Sequence, residues 1–397
     1  MSTRVHLLHV MTVPQTFRFL LGQTKFMELK GIDVSVVASD GPYAAEFGRI
    51  EQVRVESINM SREITPLLDL WALMRLIVLI RRTRPMIVHA HTPKGGLLGM
   101  LSSFFCRVPV RVYHLRGMPM ETATGVRRWL LAMSERISCR LAHRVFCVGH
   151  DLRTLAIREG LVKPERIVVP FHGSGNGVDA RGEFAPSDAL CREGVALREQ
   201  LHIACDAPVI AFVGRLVRDK GIVELTLAWQ IVRERHPDVR LIIAGPVESR
   251  DALPTSVIAK LQSDPRVHLL GLVQDVRSVY MAANILVHPS HREGFPNVPL
   301  EAAALERPVV TTTATGCRES VVDGETGAVF PVGNVDALAA ALERYVTDPR
   351  LRERHGRAGR TRVLEEFSQT RIWSAYLSEY RSLLAQDGTT RPPFTVR

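Results

Sequence analysis

ILVHPSHREGFPNVPLEAAALERP, residues 285–308, predicts a buried strand, a loop and a helix within one short stretch. The strand ends near His288, and the helix begins near Asn297, a residue that favours the N-cap position. Glu293 lies in the loop at the carboxyl end of the strand, and Glu301 lies in the first turns of the helix. Both carboxylates can therefore face one pocket, together with the free N–H groups of a helix N-terminus that bind anions. The same pattern would also arise without a catalytic role, from one acidic residue in a turn and another near a helix N-terminus, where the helix dipole stabilises it.

The same order of strand, loop and helix recurs along the chain. Short apolar runs alternate with helical patterns, which predicts βαβ units and parallel sheets. The expected strands are Val5–Val10, Asp33–Ala38, Met86–His91, Val110–His114, Val145–Val148, Val209–Val213, Arg240–Ala244, Val267–Leu269, Ile285–His288 and Val309–Thr312. The expected helices are Phe17–Lys30, Pro66–Arg82, Val126–His143, Ile222–Arg235, Val276–Ala283, Val298–Glu306, Val335–Val346 and Thr370–Ala385.

The length of 397 residues predicts two domains, because single cores stop growing below that size. The glycine-rich stretch Phe171–Cys205 breaks both patterns, so we expect it to link the domains. We predict an α/β protein with two doubly wound, Rossmann-like domains at residues 1–190 and 191–369, followed by a helix and tail at residues 370–397. Such domains bind ligands at the carboxyl ends of their strands, and we expect the cleft between the domains to hold the site.

The composition is that of a soluble globular protein, with 46% hydrophobic and 23% charged residues. No apolar run reaches the roughly 18 uncharged residues of a membrane-spanning helix, and Met1–Val13 predicts a first strand rather than a signal peptide. The six cysteines form no Cys-x-x-Cys pair. We therefore expect reduced thiols, as in the cytosol, and neither a disulfide framework nor a metal site.

The net charge of +10 is concentrated in the first half of the chain. Residues 1–190 hold 25 Lys and Arg against 16 Asp and Glu, which predicts an anionic partner for this domain. No nucleic-acid reader motif is present, so we expect no nucleic acid; a membrane surface or a phosphorylated acceptor fits. The apolar segment Pro66–Ile80 with flanking arginines is typical of surface attachment to a membrane, although a core helix with solubilising arginines would give the same pattern. These arginines are Arg81, Arg82, Arg84, Arg127, Arg128, Arg136, Arg140 and Arg144.

Three motifs occur in an order that points to one enzyme family. They are EGFPNVPLE at 293–301, GRLVRDKG at 214–221 and ESVVDGETGAV at 319–329. With them the chain resembles, over essentially its whole length, the family 4 retaining glycosyltransferases, which have the GT-B fold. Further stretches make it similar to enzymes that build bacterial capsular and lipid-linked glycans: HTPKGG at 91–96, YHLRGMPMETATG at 113–125 and GSGNGVD at 173–179.

The resemblance implies a donor site in the second domain. Arg215 and Lys220 match the residues that neutralise the leaving diphosphate, although a solvated turn after a strand would also explain them. Glu301 matches the residue that binds the ribose, and Glu293 matches the catalytic residue that holds the transferred sugar. The other residues expected at the donor are Gly245, Val273, Gly294 and Phe295, with the base near Val273.

The first domain departs from the family at two places. The loop Thr12-Val13-Pro14-Gln15 replaces a glycine-rich loop, and Arg116-Gly117 replaces a His-Gly pair whose histidine helps hold the donor sugar. His114 lies two residues before Arg116, and strand alternation allows both side chains to share a face. His114 and Arg116 therefore both stay catalytic candidates.

A helix N-terminus in the first domain is a candidate acceptor site. Thr92 and Pro93 predict the start of a helix, and the residues that follow are Lys94, Gly95 and Gly96. Exposed N–H groups and the lysine charge would bind an anion there. Simple helix initiation with tight packing of the glycines would explain the same residues.

The resemblance also implies the reaction and its partners. We expect hexosyl or N-acetylhexosaminyl transfer with retention, from a UDP-sugar in preference to a GDP-sugar, to a polyprenyl-phosphate- or pyrophosphate-linked glycan in surface polysaccharide synthesis. No cofactor or metal is expected, because no Asp-x-Asp follows a strand and fixed cations can stabilise a leaving diphosphate. We expect a cytoplasmic protein, peripheral at the inner face of the membrane, whose last helix crosses back to the first domain.

Two other functions stay open at this point. The chain could act on a soluble small-molecule acceptor, or it could be a non-catalytic module that binds a sugar nucleotide through Lys220 and Glu301. A dehydrogenase is disfavoured, because the G-x-G-x-x-G fingerprint does not follow the first strand.

Overall fold

The computed structural model describes residues 4–61, 63–248 and 251–386. The chain divides into two compact units: residues 1–176 with 369–397, and residues 177–368. Each described unit is built on one parallel sheet with helices around it. The break after Asn176 lies earlier than the predicted boundary at residue 190.

The first unit has a seven-stranded sheet with the order β3-β2-β1-β4-β5-β6-β7. Its strands are β1 (Val5–Val10), β2 (Ile32–Ala38), β3 (Arg54–Ser57), β4 (Ile87–His91), β5 (Val110–Leu115), β6 (Arg144–Cys147) and β7 (Ile167–Val168). Its first six helices are α1 (Gln23–Leu29), α2 (Pro42–Glu51), α3 (Pro66–Thr83), α4 (Pro93–Phe105), α5 (Gly125–Leu141) and α6 (His150–Arg158). The strand order reverses between β1 and β4, the point at which doubly wound sheets bind ligands.

The second unit has a six-stranded sheet with the order β10-β9-β8-β11-β12-β13. Its strands are β8 (Val209–Val213), β9 (Arg240–Ala244), β10 (Val267–Gly271), β11 (Ile285–His288), β12 (Val309–Thr312) and β13 (Gly327–Phe330). Its helices are α7 (Asp188–Gln200), α8 (Ile222–Arg235), α9 (Thr255–Ser263), α10 (Arg277–Ala282), α11 (Asn297–Ala304), α12 (Val335–Thr347) and α13 (Pro349–Glu366). Here the order reverses between β8 and β11.

Alternating residues of the second sheet feed two separate cores. Ile210 and Phe212 of β8 face the core that contains α8 and α12, whereas Val209 and Ala211 face the core that contains α10 and α11. Burial on both faces explains why these strands are almost continuous runs of apolar residues.

The last helix, α14 (Gln369–Gln386), belongs to the first unit. Its buried side chains, among them Trp373, Tyr376 and Tyr380, join the core formed by β1, β2 and β5. The Trp373 indole N–H also donates to the Asn176 side chain at 2.8 Å. The predicted tail beyond residue 386 lies outside the described residues.

Several elements differ from the sequence prediction. The expected linker Phe171–Cys205 contains α7, which begins after Ser187; the Ser187 hydroxyl caps it by accepting from Leu190 N–H. The expected helix Phe17–Lys30 is a 3-10 helix and then α1, separated by Gly22 with φ of +74°. The strands β3, β7 and β13 were not predicted: β3 has the polar sequence RVES, β7 has only two residues, and β13 begins with a glycine, a residue that disfavours strands. Within the described residues, no helix combines the length and apolarity needed to cross a bilayer.

Candidate active site

Glu293 lies in the loop after β11 and has three polar partners. Its Oε1 accepts hydrogen bonds from Lys220 Nζ and, at 3.0 Å, from Ser290 Oγ. His288 Nε2 lies 3.2 Å from the same oxygen. Lys220 follows β8, so the pair forms where the strand order reverses. The sugar-holding carboxylate and the diphosphate-neutralising cation predicted from the motifs are therefore in direct contact.

The ionisation of this cluster is set by its surroundings. Both side chains of the Lys220–Glu293 ion pair are mostly buried. Burial by itself would raise the pKa of Glu293, but the Lys220 ammonium and the His288 hydrogen bond outweigh it and hold that pKa far below its ordinary value. Burial lowers the pKa of His288 despite the adjacent carboxylate. At neutral pH, Glu293 is therefore an anion and His288 a neutral donor to it.

The loop that carries Glu293 is held on two sides. His291 N–H donates to the Asp219 carbonyl at 2.8 Å, and Arg292 forms an ion pair with the Asp219 carboxylate at 2.8 Å. On the other side, Gly316 has φ of +75°, and a Cβ there would overlap the Gly294 carbonyl. The neighbouring backbone therefore approaches too closely for any residue other than glycine.

The other predicted donor residues have well-defined neighbours in the same unit. Glu301, in α11, accepts a hydrogen bond from the buried Tyr280 hydroxyl at 2.8 Å. Phe295 packs against Phe367, with ring centroids 5.4 Å apart. Val273 is half-buried in the segment after β10. The Tyr280 contact orients Glu301, and Phe295 anchors the loop by packing.

Arg215 and Gly245 lie in the loops after β8 and β9. The Arg215 guanidinium is half-exposed and forms an ion pair with Glu248 at 2.7 Å. Its charge is therefore paired with a carboxylate at the protein surface. Gly245 has φ of +149°, and a Cβ there would overlap the Gly214 carbonyl. Close packing of the two loops therefore requires glycine at position 245.

In the first unit, the charge of Lys94 is already paired. Its Nζ donates to Asp69 Oδ1 in α3 at 2.7 Å and also to the Glu63 carbonyl. Both side chains of the Lys94–Asp69 ion pair are largely buried. The predicted role of Lys94 in acceptor binding stays a prediction, and in this structure the lysine joins α4 to α3.

Gly95 and Gly96 are used for packing. The Gly95 N–H donates to Thr12 Oγ1 at 3.0 Å, and the Gly96 N–H donates to the Thr92 carbonyl at 2.7 Å. A Cβ at Gly96 would overlap the ring of Tyr113. The prediction of an uncovered helix N-terminus is therefore wrong for these two residues, and the alternative of tight packing describes them.

Four histidines lie together on one face of the first sheet, a cluster that no sequence motif indicated. In β1 and β4 the register pairs His9 with His89, and in β4 and β5 it pairs His91 with His114. All four side chains are fully buried, and neighbouring rings lie 4.1–5.3 Å apart. Burial lowers the pKa of each imidazole, so the group is neutral at neutral pH. The period of two along parallel strands was the signal that could have found them.

His114 and Arg116 have different environments. The His114 ring is stacked parallel to His89 at 5.1 Å and has no exposed surface. That burial argues against the predicted direct contact between His114 and a sugar. Arg116 is partly exposed and follows β5 at the carboxyl edge of the sheet, so it is the better candidate of the two.

The ring nitrogens of His9, His89 and His91 lie within 4.8 Å of one another, close enough to consider a metal ion. His9 Nδ1 is, however, 2.9 Å from His91 Nε2, and His91 Nδ1 is 3.2 Å from Arg116 Nε. Both nitrogens of His91 thus take part in hydrogen bonds. A metal ion would have to break these hydrogen bonds and bind beside the positively charged Arg116 guanidinium, so we describe the group as a hydrogen-bonded cluster.

The first unit also presents an apolar surface on α3. One side of this helix is buried through Ala72, Leu76, Leu79 and Ile80. The exposed apolar side chains, which we call the α3 surface, are Leu67, Leu68, Leu70, Trp71, Met74 and Val78. Leu67 is 85% exposed and Trp71 50%, which excludes the alternative that α3 is an ordinary core helix. Arg75 lies over the Trp71 ring at 4.8 Å, within the same surface.

Comparisons with known proteins agree with this fold and these motifs. Residues 196–362 match the family model of glycosyl transferases group 1, and residues 21–171 match that of the glycosyl transferase 4-like domain. The chain is 35% identical to the capsular polysaccharide biosynthesis glycosyltransferase CapM of Staphylococcus aureus, over 95% of this chain and 97% of CapM. It is 26% identical to the UDP-Gal:alpha-D-GlcNAc-diphosphoundecaprenol alpha-1,3-galactosyltransferase of Escherichia coli, over 78% of this chain and 79% of that enzyme.

Solved structures share the fold. Anabaena Alr3699/HepE, in complex with UDP and glucose, superposes with a TM-score of 0.79 at 20% identity and covers 95% of this chain and all of the other. A glycosyltransferase from Rickettsia africae superposes with the same TM-score at 18% identity, over 96% of this chain and 99% of the other.

Proposed function

The chain belongs to the family 4 glycosyltransferases of the GT-B fold, and from that premise we propose that it transfers a sugar, with retention, from a UDP-sugar to a lipid-linked glycan in capsule or surface polysaccharide synthesis. The observation that carries the proposal is the contact between Lys220 and Glu293 where the strand order of the second sheet reverses. The cation for the leaving diphosphate and the carboxylate for the sugar lie side by side there.

The proposed chemistry needs only groups in this chain and its substrates. The bond between the sugar C1 and the diphosphate oxygen breaks, and the acceptor hydroxyl forms the new bond to C1 on the same face. The diphosphate accepts the hydroxyl proton. Lys220 stabilises the charge that develops on the diphosphate, which is the largest electrostatic demand of the reaction. Glu293, held as an anion by its neighbours, binds the sugar, and Glu301 binds the ribose.

The acceptor is proposed from charge and from the relatives. The first half of the chain holds the excess of basic residues, which suits a phosphate- or pyrophosphate-linked glycan. The E. coli relative acts, by its name, on a diphosphoundecaprenol-linked sugar. Arg116, a half-buried cation at the carboxyl edge of the first sheet, is the residue that we assign to an oxygen anion of the substrate.

The α3 surface is proposed to rest on an anionic membrane. The helix α5 also exposes apolar side chains, Val126, Trp129 and Leu130, and exposed arginines lie at the end of α3 and along α5. An apolar helix face with flanking arginines is suited to the headgroup region. Each basic residue near such a surface contributes about 1 kcal/mol, so attachment should be weak and reversible by salt.

A nucleotide-release assay tests the transferase proposal. Purified protein is incubated with UDP- and GDP-sugars, with and without polyprenyl-linked acceptors, and the released nucleotide is measured. Release that depends on both donor and acceptor is expected, with the UDP-sugar preferred. Binding of the nucleotide sugar without any release would identify a non-catalytic module instead, and efficient transfer to a soluble acceptor without phosphate would remove the lipid-linked acceptor.

Liposome co-sedimentation tests the membrane proposal. A double variant, Leu67→Ser with Trp71→Ser, should bind anionic vesicles less than the unaltered protein. Leu272→Ser is the control, because Leu272 has an exposure of 76%, between those of Trp71 and Leu67, but lies in the second unit. Binding should rise with anionic lipid and fall at high salt. Equal binding by all three proteins, or none at low salt, would overturn the proposal.

A further inference from the structure

The Arg116 guanidinium is held by the first unit on three sides. Its Nε donates to His91 Nδ1 at 3.2 Å, and its Nη1 donates to the Gly175 carbonyl at 2.9 Å. The guanidinium carbon lies 4.7 Å from the centre of the Phe19 ring, a distance typical of a cation–π contact. A Cβ at Gly175 would lie only 2.7 Å from Nη1, so the glycine is required by this arrangement.

The charge of Arg116 has no carboxylate partner among the described residues. Burial lowers its pKa to about 10, so the group is still a cation at neutral pH. Its Nη2 is buried and has no hydrogen-bond partner in the described part of the chain. Buried donors are almost always paired in native proteins. Because Nη2 belongs to a cation without a carboxylate partner, its missing hydrogen bond points to an anionic oxygen supplied by a ligand.

The hydrogen bond from Arg116 fixes the proton positions behind it. An arginine N–H can only donate, so His91 Nδ1 must be the unprotonated acceptor. Because neutral His91 then carries its proton on Nε2, it donates to His9 Nδ1 at 2.9 Å. His9 in turn must carry its proton on Nε2. One chain of hydrogen bonds therefore sets the tautomer of both histidines and runs from β1 through β4 to the guanidinium.

We propose that His91 and His9 are positioning residues that hold the Arg116 guanidinium, through this hydrogen-bond chain, in place for a phosphate oxygen of the substrate. The inference deepens the proposed function and rests on it for the identity of the ligand. His91 fixes the guanidinium plane through Nε, and His9 fixes the tautomer and orientation of His91. Second-layer contacts of this kind are the usual means by which a reactive group is kept within the tolerance that catalysis requires.

His89 provides a matched control within the same cluster. It lies on the same strand and face as His91, is equally buried and stacks on the His91 ring at 4.1 Å, but its Nδ1 forms a hydrogen bond with the Tyr380 hydroxyl at 2.6 Å and so lies outside the hydrogen-bond chain. Replacement of His89 should lower stability without moving Arg116. Replacement of His91 should lower stability and should also displace the Arg116 guanidinium.

A double-mutant cycle on transferase activity is the decisive experiment. Arg116→Ala should lower kcat/KM by about 10²-fold, and His91→Leu by at least about 10-fold. In the Arg116→Ala background, His91→Leu should have no further effect on kcat/KM, since its action passes through the guanidinium. His91→Gln, whose amide can both accept and donate, should recover most of the activity. His89→Leu should stay within about threefold of the unaltered protein at temperatures well below its Tm.

Each outcome separates the inference from the proposed function. Full additivity of His91→Leu and Arg116→Ala, or equal losses for His89→Leu and His91→Leu, would overturn the positioning role while leaving the transferase assignment intact. If the unaltered protein shows no turnover, the transferase proposal fails, and the inference is then decided by long-range 1H–15N spectra of histidine-labelled protein. Both His9 and His91 should appear as Nε2–H tautomers, whereas an Nδ1–H tautomer of His91, or a stoichiometric metal ion in the purified protein, would overturn it.

Discussion

Replacement of Lys220 by alanine should unbalance the cluster around Glu293 in a way that pH can reveal. Lys220 and Glu293 are mostly buried, with side-chain exposures of 17% and 16%. Removal of one partner of a buried pair costs about 3–5 kcal/mol. We expect about 3 kcal/mol for Lys220→Ala at pH 7, because Glu293 keeps its hydrogen bonds to Ser290 and His288.

The sign of the pH dependence follows from the pKa of Glu293. In the unaltered protein that pKa is depressed below its unfolded value, so the ion pair stabilises the fold above the unfolded pKa of about 4.3 and loses this effect as pH falls below it. Without Lys220, burial raises the pKa of Glu293, and the folded carboxylate takes up a proton as pH falls. The stability deficit of Lys220→Ala should therefore shrink between pH 7 and pH 5.

Urea unfolding of both proteins at several pH values measures this deficit. The double variant Lys220→Ala with Glu293→Gln is the control, because it also removes the carboxylate charge that Lys220→Ala leaves without a cation. It should be less destabilised than Lys220→Ala alone. A deficit that does not change with pH, together with equal destabilisation of the single and double variants, would refute the electrostatic account.

Three further predictions concern the same sites. Glu293→Gln should lower kcat more than it raises KM, because its sugar contact tightens at the transition state, whereas Glu301→Gln should mainly weaken nucleotide binding in steady-state kinetics; equal effects on KM alone would contradict this division. Gly96→Ala should lower stability by about 2 kcal/mol in urea unfolding, because its Cβ overlaps the Tyr113 ring, while Gly359→Ala, with its nearest contact at 3.3 Å, should cost less. Transfer should continue in EDTA, since Lys220 and Arg215 supply the positive charge; loss of transfer that magnesium or manganese restores would show a metal requirement.

Much of the fold could be predicted because its strands are buried on both faces. Val209–Val213, Arg240–Ala244 and Ile285–His288 are apolar runs with clear ends, and their predicted and observed bounds agree. The helix α7 was missed because a glycine- and proline-rich approach to Ser187 hides its start. The edge strand β3, with the sequence RVES, is too polar and too short to be recognised by its pattern.

The sequence motifs identified residues of the candidate site, but they did not show which side chains these residues contact. The motifs named Lys220 and Glu293, whose direct contact depends on β8 and β11 being neighbours. No spacing along the chain shows that Lys94 is paired with Asp69, or that Gly96 lies against Tyr113, because these contacts join separate elements. Sequence periodicity places a side chain on a face, and only the tertiary structure shows what covers it.

The most direct test of the central claim is calorimetric titration of a nucleoside diphosphate and its parent nucleoside into the unaltered protein and Lys220→Ala. UDP should bind the unaltered protein, and Lys220→Ala should lose about 10²-fold in affinity for UDP, in the range of a mostly buried electrostatic partner. Uridine should bind both proteins equally, because Lys220 is assigned to the diphosphate alone. Equal affinity of the two proteins for UDP, or an equal loss for UDP and uridine, would contradict the assignment of Lys220 and Glu293 to the reacting end of the donor.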